Sequence, residues 1–282
     1  MGTSKQPIAI FDSGVGGLTV VKAIMARLPE EDLVYFGDTA RIPYGTKSSR
    51  TITRFARQDC GFLLRFDPKL VVVACNSASA AAMPALQHEV EVPTLGVIRP
   101  GARRAVEVAK GRPIGIIATE ATIASRSYHE AILAIDGEAR LLERACPLLV
   151  PMVEEGRDAH DPLVRAVLKE YLAEMKSASP GVVVLGCTHY PLIREAIGRQ
   201  FDGEVALVDS ATETAKEVAA LLSDLELATR VHSPGEQRYF VSDNPQRFAS
   251  TGERFLGRRL TEVELVSPDE FFQTEAAEAQ PA

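Results

Sequence analysis

Two stretches dominate the hydropathy pattern: VVVACNSAS at residues 71–79 and VVVLGCTHY at 182–190. Each is an unbroken apolar run that ends in a turn of small residues carrying a cysteine, Cys75 or Cys187. A run of this length reads as a strand buried on both faces of a parallel sheet, leading into a helix N-terminus. The same pattern recurs along the chain. PIAIF (7–11), DLVYFGD (32–38) and VPTLGVI are further strands, alternating with helices at 18–28 and 48–66 and one through AAMPALQHEV, where Pro84 is expected early in the helix. From residue 100 a second series starts, with a helix at 101–110, the strand PIGIIAT, a Thr119-Glu120-Ala121-Thr122 turn, a strand within ARLLERACPLLVPMVEEG, and a helix at 161–177 before Cys187. VALVDSATETAKEVAALL, RYFVSDNPQRFASTGERFLG and TEVELV add strands and helices.

The two series match: strand–DSG to strand–CNS in the first, strand–TEAT to strand–CTH in the second. The fold class expected is α/β, with two similar open parallel-sheet (flavodoxin/Rossmann-like) domains related by pseudo-two-fold symmetry. Open α/β sheets hold ligands beyond the carboxyl ends of their strands, so the site is expected in the cleft between the domains. The chain is expected to cross between domains twice, giving residues 1–99 plus 209–270 in the first domain and 100–208 in the second. Residues 271–282, acidic and without apolar period, are expected to be disordered.

Composition narrows the function classes. The net charge of −7 does not suggest a nucleic-acid partner, and no 18-residue apolar run suggests a membrane span. No signal-like apolar segment precedes the first strand, so a cytoplasmic location is expected. The four cysteines, Cys60, Cys75, Cys146 and Cys187, form no CxxC pair, and Cys187 with His189 alone is too little for zinc; no metal site is expected. Cys60, among Phe55, Phe62, Leu63 and Leu64, and Cys146, before Pro147, read as packed core residues.

Candidate chemistry gathers at the strand ends. The Asp12–Gly17 turn (DSGVGG) exposes backbone amides at a helix start and favours an anion, but it lacks the third glycine of a dinucleotide fingerprint, and Asp12 would repel phosphates. Thiols at helix N-termini can serve as bases. Asn76, Ser77 and Ser79 follow Cys75, while Thr188 and His189 follow Cys187; such hydroxyl, amide and backbone groups suit a carboxylate. Two thiols facing each other across a cleft can remove a proton from one side of a carbon and donate one from the other, inverting the stereocentre. Lys47 and Lys69 flank these motifs and read as solvated, leaving no lysine for a pyridoxal phosphate Schiff base; no cofactor is expected. Asp12 could instead merely cap the next helix, His189 could be a packed turn residue, and Glu154 and Glu155 a solvated pair at a helix start.

FDSGVGGLTV (11–20), YFGDTARIPYG (35–45), VACNSAS (73–79), VPMVEEG (150–156) and GCTHYPL (186–192) together resemble the glutamate racemases, cofactor-independent members of the aspartate/glutamate racemase superfamily. The resemblance extends to about residue 270. It implies interconversion of L- and D-glutamate, supplying D-glutamate for peptidoglycan. Cys75 would be the base towards D-glutamate and Cys187 towards L-glutamate. Asp12 would assist Cys75, His189 would assist Cys187, and Glu154 or its neighbour Glu155 would be a further assisting carboxylate. Asp12, Ser13, Tyr44, Gly45, Asn76, Ser77, Thr119, Thr122, Thr188 and His189 would hold the substrate. A homodimer is implied, and an interaction with DNA gyrase is raised by family analogy alone. Ser77 stands where threonine is common, and Arg99 where an acidic residue is common, a change expected to touch regulation or dimer contacts. The alternatives are racemisation of aspartate or another amino acid, and a non-catalytic two-lobed dicarboxylate-binding protein.

Overall fold

A computed structural model describes residues 3–260 and 262–267. In chain order it contains β1 (Ile8–Asp12), α1 (Leu18–Arg27), β2 (Leu33–Gly37), α2 (Ser49–Leu64), β3 (Leu70–Val73), α3 (Asn76–Glu89), β4 (Thr94–Gly96) and α4 (Ile98–Ala109). There follow β5 (Ile114–Ala118), α5 (Glu120–Ala124), α6 (Ser127–Leu133), β6 (Leu141–Ala145), α7 (Leu149–Glu154), α8 (Pro162–Ser177), β7 (Val182–Gly186), α9 (Arg194–Gln200) and β8 (Ala206–Asp209). The last elements are α10 (Ser210–Asp224), β9 (Gln237–Val241), α11 (Pro245–Leu256) and β10 (Glu264–Leu265).

The strands form two parallel sheets, ordered β10-β9-β2-β1-β3-β4 and β6-β5-β7-β8. The order β2-β1-β3-β4 in the first is repeated as β6-β5-β7-β8 in the second, so β1 corresponds to β5, and β3 to β7. Each sheet with its helices is one lobe. After β4 the chain leaves the first sheet, builds the second, and returns at β9, making two crossings. Every residue of β1, β3, β5 and β7 is buried, which is why these segments read as continuous apolar runs. The register pairs Phe11 with Val73 and Ala118 with Gly186, so Asp12, Cys75, Thr119 and Cys187 emerge at the carboxyl ends of adjacent strands.

Several elements differ from the sequence reading. α3 begins at Asn76, so Pro84 lies inside the helix rather than near its start. The Ala80 carbonyl, which Pro84 cannot satisfy for want of an N–H, accepts instead from Ser127 Oγ at 3.1 Å. α4 starts at Ile98, with Pro100 in its first turn, where a missing N–H costs least. Lys69 is not solvated: it is 1 % exposed, and its Nζ lies 2.5 Å from Glu31 Oε2 and 2.9 Å from the Ser4 carbonyl. Those partners offset the cost of burying its charge. The segment TEVELV contributes only the two residues of β10, and the expected disordered tail, 271–282, lies outside the described residues. Among the described residues, no helix is long and apolar enough to cross a membrane.

Candidate active site

A cavity of about 350 Å³ lies between the lobes, and both Cys75 and Cys187 line it. Ser13, Tyr44, Gly45, Asn76, Ser77, Thr119, Glu154, Thr188 and His189 line it as well. Asp12 and Thr122 stand behind its wall, each 1 % exposed, and Ser79 and Glu155 do not line it either.

On the first lobe, Cys75 is the N-cap of α3, and its sulfur accepts from the Ala78 amide at 3.5 Å and lies 3.6 Å from Ser13 Oγ. Burial pushes the thiol up to about 12; the nearby Asp12 adds to this, and the Ala78 and Ser13 contacts oppose it. Asp12 does not cap α1, whose N-cap is Gly17. Its Oδ2 accepts from the Gly14 amide at 3.0 Å and fixes the turn, and Oδ1 has no hydrogen-bond partner. Burial raises the Asp12 carboxyl, against the pull of His189 and the Gly17 and Gly14 amides.

On the second lobe, the Cys187 sulfur lies 3.7 Å from His189 Nδ1, and His189 Nε2 is 2.9 Å from Glu154 Oε1. Burial disfavours the imidazolium, but hydrogen bonds to Cys187 and Glu154 and their charges raise His189 to about 10. Burial would raise Glu154 too, yet His189, Arg247 and Arg254 hold it below its usual value. Of the two adjacent glutamates, Glu154 is the one that reaches His189. Glu155 is exposed, with Arg157 at 3.7 Å, and the pair ends α7 rather than starting a helix.

A patch of hydroxyls joins the lobes. Ser77 Oγ lies 2.9 Å from Thr119 Oγ1 and 3.3 Å from Thr122 Oγ1, and the two threonines are 3.0 Å apart. Beside them, Asn76 Oδ1 accepts from Tyr128 at 2.8 Å, while its buried Nδ2 has no partner among the described residues. An unsatisfied buried donor on a cavity wall is a ready contact for a carboxylate. Tyr44 differs from expectation in its means. Its hydroxyl is occupied by Asp38 and, at 3.0 Å, by Asp59, so only the rest of the residue is free to meet a ligand.

Sequence reasoning missed three features. Asp38 and Asp59, both fully buried, are bridged by Arg41 at 2.6 and 2.8 Å and hold the Tyr44 loop from behind. Asp59 sits on an otherwise apolar helix face beside Cys60, a signal that could have found it. Gly16 lets the lobes meet: a Cβ there would lie 2.2 Å from Thr188 Oγ1 and 2.5 Å from His189 Cε1. Thr19 Oγ1 spans the same junction to the Thr188 carbonyl at 3.1 Å.

Two look-alike lobes that each present a thiol to one shared cavity define a class of protein suited to proton transfer at both faces of a carbon. The chain belongs to the Asp/Glu/Hydantoin racemase family, whose profile matches residues 18–218. Its relatives at 42–50 % identity include glutamate racemases. The one from Geobacter metallireducens is 50 % identical over 262 residues, covering 93 % of this chain and 97 % of that protein. The glutamate racemase of Thermus thermophilus, solved with beta-chloro-D-alanine, superposes with a TM-score of 0.86 at 43 % identity, covering 95 % of this chain and 99 % of that one. That of Francisella tularensis, solved with D-glutamate, has a TM-score of 0.87 at 40 % identity, covering 94 % and 98 %.

Proposed function

We infer that the protein interconverts L- and D-glutamate by a cofactor-independent two-thiol proton transfer at the α-carbon, supplying D-glutamate for peptidoglycan. The observation that carries this reading is the single cavity shared by Cys75 and Cys187, which come from corresponding strand ends of the two lobes.

With L-glutamate bound, the Cys187 thiolate takes the α-proton. The electron pair left behind spreads into the adjacent carboxylate, and the Cys75 thiol delivers its proton to the opposite face. With D-glutamate the roles reverse. Cys75, pushed up to about 12, is a thiol at neutral pH and has a proton to deliver, while the raised His189 imidazole lies 3.7 Å from the Cys187 sulfur. Asp12 assists Cys75, whereas His189, kept charged by Glu154, assists Cys187. The Asn76 amide and the hydroxyls of Ser77 and Thr119 bind carboxylate oxygens, with Thr122 holding those two hydroxyls from behind the wall and Ser13, Tyr44, Gly45 and Thr188 completing the substrate's surroundings. Charge developing in the transition state then meets donors already in position.

Residues 1–99 with 209–270 form one domain and 100–208 the other in this reading. The protein acts as a cytoplasmic homodimer, a setting that suits its four unpaired thiols.

Racemisation of glutamate and aspartate, followed by optical rotation on extensively dialysed protein, tests the function. Glutamate is expected to turn over and aspartate to lag far behind. Cys75→Ser and Cys187→Ser should each lower the rate by about 10²- to 10⁴-fold, the range of a lost acid or base. A wild type that binds glutamate without turning it over would make this a dicarboxylate-binding protein instead.

A further inference from the structure

The Glu154–His189 pair belongs to the second lobe, yet much of its support comes from the first. Helix α7 ends at Glu154, where the last carbonyls run out of helix amides; the Val153 carbonyl accepts from the Gly156 amide at 3.0 Å. Arg254, on α11 of the first lobe, adds side-chain donors to two of these carbonyls. Its Nη1 donates to the Val153 carbonyl at 3.2 Å and its Nη2 to the Glu154 carbonyl at 2.7 Å. The chain makes room for this fork at Gly156, where φ is +93° and a Cβ would lie 2.7 Å from Arg254 Nη1. The next residue on α11, Phe255, is 1 % exposed and sets its ring edge-on to His189, with centroids 5.1 Å apart at 82°. One turn of the helix thus touches both members of the pair.

The geometry points to Arg254 as a positioning residue for the Cys187 half of the reaction: its planar fork fixes the end of α7, and with it the Glu154 carboxylate, against His189. The inference rests on the racemase reading of this site. Arginine suits the task because two donors on one rigid plane hold two carbonyls at a fixed spacing, whereas the three donors of a lysine sit on one rotating nitrogen. The fork also joins the lobes, since Arg254 and Glu154 lie in different ones. The charged and titratable groups around the Glu154–His189 pair are Cys187 of its own lobe and Asp12, Arg247 and Arg254 of the other, the two arginines acting on Glu154.

Arg254→Met, which keeps the aliphatic stem and removes every donor, is the informative variant, with Arg254→Lys as partner. The readouts are kcat and KM for both enantiomers, thermal unfolding, and the His189 imidazole titration followed by NMR in the ligand-free protein. Arg254→Met is expected to lower kcat about 10- to 100-fold, the scale of a misplaced catalytic group, with KM changed less than about threefold. The His189 titration should move to lower pH, and Arg254→Lys should recover part of both effects. Should the methionine variant not fold, Arg254→Lys against wild type carries the same comparison. Wild-type kcat in Arg254→Met, or a loss matching only the unfolded fraction while His189 titrates as in wild type, would overturn the assignment. Because the imidazole titration needs no turnover, a protein inactive on glutamate still reports on Arg254, and the two claims fail separately.

Discussion

Replacing Glu154 by Gln removes a charge with almost no change of shape, and its consequence for His189 can be worked out. In the wild type, Glu154 Oε1 lies 2.9 Å from His189 Nε2, and the imidazolium is raised from 6.5 to about 10 although burial opposes it. That rise corresponds to about 5 kcal/mol in favour of the charged ring. Cys187 and Glu154 share it, and a hydrogen bond between charged groups contributes about 1.5–3 kcal/mol net. At about 1.4 kcal/mol per pH unit, the His189 titration in Glu154→Gln should fall by one to two pH units, to about 8–9. The stability consequence has a definite sign. The folded value lies above the unfolded one, so this contribution is complete below about pH 6.5 and disappears as the pH rises through about 10. The variant should therefore be less stable than wild type by about 1.5–3 kcal/mol near pH 6, and the difference should vanish by about pH 11, above the folded value. NMR titration of the histidine ring, assigned by comparison with His189→Gln, and urea unfolding at the two pH values provide the assay. A His189 that still titrates at about 10 in Glu154→Gln would refute the reasoning.

Two further substitutions test other joints of the account. Gly16→Ala should push Thr188 and His189 away from the α1 turn, costing about 1–3 kcal/mol in stability and at least about tenfold in kcat/KM; wild-type kinetics would show that the lobes do not meet as described. Lys69→Met strands the buried Glu31 carboxylate and should destabilise by about 3–5 kcal/mol. Adding Glu31→Gln should restore most of that loss, and folded Lys69→Met should keep wild-type kcat because the pair sits at the end of β3 away from Cys75. Chemical denaturation and steady-state kinetics of the single and double variants check both points.

What could be read in the sequence were the features that short-range physics encodes. β3 and β7 announce themselves because strands buried on both faces must be apolar throughout, and a thiol following such a run can only emerge at a strand end. The repetition of that unit carried the two-lobed α/β fold. Features set by distant residues were less legible. Nothing near Lys69 in the chain foretells Glu31, and Pro84 looked like a helix start because Ser127, which satisfies the freed carbonyl, is remote. The choice between Glu154 and Glu155 depends on which one the second lobe turns towards His189. Tyr44 lines the cavity, but its hydroxyl is claimed by Asp38 and Asp59. Gly16 stood within an obvious turn motif, although the reason for a glycine there lies across the cleft in Thr188 and His189.

The central claim is that two different thiols serve the two faces of one carbon, and isotope incorporation addresses it most directly. Enantiopure L-glutamate is converted in D2O and sampled early, the enantiomers are separated, and the α-deuterium content of each is measured by mass spectrometry. Opposed Cys75 and Cys187 predict D-glutamate that carries α-deuterium while the remaining L-glutamate stays unlabelled, with the mirror result from D-glutamate. Deuterium entering the remaining substrate as fast as product forms would mean that one base serves both faces, and would contradict the account.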